Sequence, residues 1–84
     1  MTSDLYTEVI MITYEQIRER LAAAIRESGL TQTEIARRLG VTQATVAQYL
    51  AGRTLPAPDT FANLCKILDA DVNYILCQNE NEDA

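Results

Sequence analysis

Residues Gly29 to Pro56 read GLTQTEIARRLGVTQATVAQYLAGRTLP, and this stretch decides the fold. It repeats one grammar twice. Thr31 is followed three residues later by Glu34, the spacing of a capping box, in which each side chain satisfies an orphan amide at a helix start. Leu30 and Ile35 flank it as a hydrophobic staple, Ile35, Ala36 and Leu39 form an inward face, and Gly40 stops the helix. Thr42 is the next N-cap, with Val41 and Val46 as its staple, and Gly52 is the next stop. Val46, Tyr49 and Leu50 then face inward. The pattern predicts two helices of roughly ten residues each, joined by a turn of about three. Gln32, Ala36, Gly40 and Val46 stand at offsets of 0, 4, 8 and 14. Small Ala36 lets the following helix cross close by, Gly40 permits the tight turn, and Val46 anchors the second helix to the core. Ile35, Leu39 and Leu50 complete the seam of a helix-turn-helix.

The flanking residues extend the helical reading. Thr13 and Gln16 make another capping box, with Ile12 and Ile17 as its staple. Ile17, Leu21, Ala24 and Ile25 recur at helical spacing until Ser28-Gly29. Pro58 suits a first helical turn, where its missing amide is no loss. Phe61, Leu64, Cys65 and Leu68 give that helix its buried face. A short fifth helix is expected around Val72 to Leu76, capped by Asp71. The fold class is therefore all-α: a five-helix bundle over residues 13–77 with a central helix-turn-helix. Residues 1–12 are expected to form an N-terminal extended arm. Leu5 to Ile12 reads LYTEVIMI, rich in β-formers, and is either a leader or a strand exchanged across a dimer. Residues 78–84 read as an acidic tail.

Composition narrows the function. With 84 residues, 48% of them apolar, the chain has room for one small domain. There is no histidine, which removes Ser-His-Asp and Cys-His catalysis and His-containing metal sites. Cys65 and Cys77 lie twelve apart, without a CxxC spacing; Cys65 reads as a small core residue and Cys77 receives no role. No cofactor, metal or enzymatic activity is expected. No apolar run approaches membrane-spanning length and no secretion signal is apparent, so a cytoplasmic location is expected.

The net charge of −5 opposes nucleic-acid binding when taken whole. Its distribution reverses that conclusion. Asp4, Glu8, Glu80, Glu82 and Asp83 lie near the ends, while residues 13–77 hold seven charges of each sign. Between residues 29 and 56, Glu34 opposes Arg37, Arg38 and Arg53, leaving +2. No charged residue occurs from Thr42 to Ala51. Gln43, Ala44, Ala47 and Gln48 fall on the outward face of that helix, at i, i+1, i+4 and i+5. Glutamine can bond adenine in a bidentate manner, and alanine allows close approach to a thymine methyl. The same glutamines are also compatible with an ordinary solvated surface.

From Tyr14 to Leu76 the chain resembles the lambda-repressor-like, Cro/cI-type (xenobiotic-response-element) family of helix-turn-helix DNA-binding domains. The resemblance includes Gly52 and Pro56 after the second helix of the motif and the closing Val-Asn-Tyr-Ile-Leu. It implies that Gln32 donates to a backbone phosphate and braces Gln43, and that Arg53 contacts phosphate. Thr42 and Thr45 offer hydroxyls near the groove edge, although Thr42 is first a cap. Arg37 and Arg38 are read mainly as solvated charges, and Tyr49 as packing. The DNA-binding set is thus Gln32, Thr42, Gln43, Ala44, Thr45, Ala47, Gln48 and Arg53.

The resemblance further implies a prokaryotic or phage transcriptional regulator. It would bind double-stranded DNA as a homodimer on a near-palindromic operator, with recognition helices about 34 Å apart, and occlude or recruit polymerase. Few cations face the DNA, so three to five phosphate contacts per monomer, at roughly 0.9 each in the salt slope, are expected. The acidic balance and apolar arm favour an alternative: an antitoxin-like module that keeps the fold but binds a protein partner.

Overall fold

The computed structural model describes residues 11–78 of the chain. Five helices follow in order: α1 (Tyr14–Glu27), α2 (Gln32–Leu39), α3 (Gln43–Leu50), α4 (Pro58–Leu68) and α5 (Val72–Ile75). No strand occurs among the described residues. The all-α, five-helix expectation therefore holds. The strand considered for Leu5 to Ile12 lies outside the described residues except at Met11 and Ile12, which have no regular secondary structure. The acidic tail beyond Gln78 also lies outside them.

Each start has a local cause. The capping box of α1 is complete: Gln16 N–H donates to Thr13 Oγ1 at 3.2 Å, and Thr13 N–H donates to Gln16 Oε1 at 2.9 Å. The box expected at α2 is only half formed. Glu34 N–H donates to Thr31 Oγ1 at 3.0 Å, but the Glu34 carboxylate turns to Arg37 and Arg38 instead of the cap amide. Two guanidinium donors outcompete one backbone amide because charge-assisted bonds are the stronger. Thr42 caps α3 through Thr45 N–H at 3.1 Å. Pro58 occupies the first turn of α4, and Asp71 accepts from Asn73 and Tyr74 amides at α5.

α2 and α3 each span eight residues, shorter than the spacing suggested, and three residues join them. Their ends are set by left-handed glycines, Gly40 at φ 79° and Gly52 at φ 72°, a conformation that lacks the Cβ penalty only in glycine.

The core is one cluster in which every helix takes part. Leu21, Ile25, Ile35, Ala36, Val46, Tyr49, Leu64, Cys65, Leu68 and Ile75 are buried together. α3 packs on α2 and on α1, α2 packs on α4, and α1 packs on α5. Ala36 and Val46 thus occupy the seam positions assigned to them, and Tyr49 is packing. Cys65 is a core residue as expected. Cys77, which had no assigned role, is also buried, because the turn after α5 folds its side chain back inside. Phe61, Leu39 and Leu50 are half-buried rather than enclosed. No helix among the described residues is long and apolar enough to cross a membrane.

Candidate nucleic-acid interface

With Val46 and Tyr49 drawn into the core, α3 turns its other side outward. Gln43, Ala44 and Gln48 are exposed, while Ala47 and Thr45 are half-buried. An alanine partly sunk between two glutamines leaves a shallow surface that a base edge can approach. An acid here would repel phosphate, and a long basic side chain would hold the helix away from bases.

Gln43 does not swing freely. Its Nε2 donates to Gln32 Oε1 at 2.6 Å, across the turn from the first helix of the motif. That bond uses one of the two amide hydrogens. The second hydrogen and the Gln43 carbonyl oxygen stay available, which is the donor-acceptor pair that adenine N7 and N6–H require. Gln32 is half-buried at the first position of α2. The amides that begin α2 carry the positive end of the helix dipole close by.

Thr42 Oγ1 and Thr45 Oγ1 lie 2.9 Å apart in a mutual hydrogen bond, and Thr42 Oγ1 also accepts from Thr45 N–H at 3.1 Å. Both hydroxyls therefore serve the helix start first. Thr42 is exposed, whereas Thr45 is the more enclosed of the two.

Arg53 is held by the end of α3. Gly52 N–H donates to Tyr49 O at 3.0 Å, and Arg53 N–H donates to Gln48 O at 3.1 Å. This pairing of a short and a long backbone bond around a left-handed glycine is a Schellman motif. It fixes the Arg53 backbone directly beyond the last turn of α3, with the side chain exposed. Arg37 and Arg38 are different. Both pair with Glu34; the Arg38 Nε contact is 2.5 Å, and Arg37 joins it three residues along. The two guanidinium groups, Arg37 foremost, hold the Glu34 carboxyl below its ordinary pKa. The local charge of +2 is thus split between an ion-paired cluster of net charge +1 and a separate Arg53. The charge count alone gave no sign of this pairing, although the i+3 and i+4 spacing of the arginines from Glu34 carries it.

Elsewhere, burial raises the Cys65 thiol pKa, so Cys65 is poorly suited to act as a nucleophile. No group of three or more potential metal ligands occurs among the described residues.

Comparison with known proteins agrees with this geometry. A family described as a helix-turn-helix domain matches residues 16–73. The chain is 33% identical over 64 residues to a protein of Bacillus subtilis (strain 168) named as an uncharacterised HTH-type transcriptional regulator, YqaE. That alignment covers 76% of this chain and 55% of the relative, so the chain spans about half the length of the curated relative it matches. No solved structure matches significantly. The matched span takes in Gln32, the α2–α3 turn, the outward face of α3 and Arg53, and the chain belongs to the helix-turn-helix domain family.

Proposed function

We propose that this protein is a sequence-specific DNA-binding transcriptional regulator of prokaryotic or phage type, which reads the major groove through α3. It binds a near-palindromic operator as a homodimer and acts as a repressor or by recruiting polymerase. Gln43 and Gln48 read base edges, Ala44 and Ala47 permit close approach, and Gln32, Thr42, Thr45 and Arg53 meet the backbone. The observation that carries this reading is the Gln43–Gln32 bond at 2.6 Å, which holds an exposed glutamine amide on a helix surface without charge. A solvated glutamine gains little from such a brace; a base-reading one loses less entropy on binding. The HTH-type relative supports the same assignment.

The test is selection of bound duplexes from a random oligonucleotide library, followed by fluorescence anisotropy on the enriched sequence. Salt-sensitive binding to two half-sites one helical turn apart is expected. It should weaken at least tenfold in the Gln43→Ala, Gln48→Ala double variant while circular dichroism stays helical. Unchanged binding in that variant would refute base reading by α3. Failure to enrich any duplex, even at low salt, would favour the protein-binding alternative.

A further inference from the structure

An open groove of about 800 Å³ lies between the start of α1 and the loop that leads into α4. Tyr14, Ile17, Leu55, Pro56, Phe61 and Leu76 give it apolar walls. Arg18 also borders it, and Arg18 Nε is buried with no hydrogen-bond partner among the described residues. A guanidinium N–H cut off from water and left unpaired is unfavourable until an acceptor reaches it. The groove therefore suits apolar side chains accompanied by one acidic group.

The chain itself brings such a segment to the rim. Thr13 is the N-cap of α1, so Ile12 and Ile17 occupy the staple positions that direct how a chain enters a helix. Ile17 and Tyr14 both line the groove, and Met11, three residues before Tyr14, is 75% exposed. Residues 5–10 read LYTEVI: apolar residues around a single acid, Glu8, with no basic residue before Arg18. Arg18 lies four residues, about 6 Å of helix, beyond Tyr14. The stretch from Glu8 to Tyr14 can extend to about 20 Å, ample for the chain to double back that far. Tethering also places the segment at a millimolar effective concentration.

We propose that residues 5–10 dock into this groove of their own chain, with Glu8 meeting the Arg18 guanidinium, whose Nε has no partner among the described residues. The covered groove is then unavailable to an outside protein, and α3 is left free.

Paramagnetic relaxation on the full chain tests this. A nitroxide is attached at Thr7→Cys; Cys65 and Cys77 are 2% and 3% exposed and react far more slowly. Amides of Ile17, Leu55 and Phe61 should broaden several-fold more than those of α3. A mixture of isotope-labelled chains without nitroxide and unlabelled chains with it should show no such excess. Glu8→Gln or Arg18→Gln should at least halve the broadening, whereas Glu15→Gln should not. No excess at the groove would overturn the proposal. Equal broadening in the mixed sample would also overturn it and assign the groove to the arm of a second copy. An unaltered effect in both Glu8→Gln and Arg18→Gln would refute the Glu8–Arg18 pairing.

Discussion

Gln43 and Gln32 lie eleven residues apart in sequence, yet their side-chain amides meet at 2.6 Å across the turn that joins α2 to α3. The first residue of one helix thereby orients the first residue of the next. This relationship makes the two positions energetically dependent. Gln43→Ala and Gln32→Ala should each weaken operator binding. Their effects should fail to add, with a coupling of about 0.5–3 kcal/mol in a double-mutant cycle read by fluorescence anisotropy. Gln48→Ala, outside the pair, should add independently and cost about 1–3 kcal/mol at its base position. Strict additivity of the Gln32 and Gln43 variants would mean that the brace has no part in recognition.

Arg53 stands apart from the cluster in which Glu34 engages Arg37 and Arg38. Arg53→Gln should lower the slope of log K against log salt by about 1. Arg37→Gln should change it by much less. Glu34→Gln should steepen it by releasing both arginines. Titration of binding against salt for the three variants checks the order.

The same cluster makes a pH prediction. Arg37 and Arg38 hold the folded Glu34 carboxyl below its unfolded pKa, so its stabilisation is complete above the ordinary carboxylate range. It is lost as pH falls through the depressed folded value. An NMR titration of the Glu34 side chain should place its midpoint below that of Glu34 in an Arg37→Ala variant. Because the group is exposed, the accompanying change in thermal midpoint should be small.

Helix stops should respond to backbone conformation alone. A Cβ at Gly40 would meet nothing within 4 Å, but its φ is 79°. Gly40→Ala should therefore destabilise the domain by about 1–2 kcal/mol through strain without a clash. Asp69 ends α4 at φ 55°, the same left-handed region, without being glycine. Asp69→Gly should stabilise by about 0.5–1 kcal/mol. Urea unfolding of both variants measures the opposite signs.

Much of this architecture was legible because capping and stopping residues are local signals. Thr13, Thr31, Thr42 and Asp71 cap where their spacing placed them, and Gly29, Gly40 and Gly52 are left-handed. The outward position of Gln43, Ala44 and Gln48 followed from the helical period once Val46 was assigned inward. What escaped the sequence depends on competition between partners. Glu34 had a cap amide and two arginines within reach, and spacing alone does not rank them. Cys77 gave no periodic cue, since its burial comes from a turn at φ 63° beyond the last helix. The brace at Gln32 was implied by family resemblance, not by residue chemistry, because its partner is distant in sequence.

Arg20 donates from Nη1 to Tyr74 O at 2.8 Å and lies 4.5 Å from the centre of the Tyr74 ring. A helix of four residues cannot persist by its own backbone bonds. Among the described residues, the last helix is therefore clasped by the first, with Ile75 plugging the interior between them. Shortening the protein just before Val72 would unplug that interior and loosen α1 at the same stroke, so the molecule should melt as an indivisible unit instead of fraying from its carboxyl end.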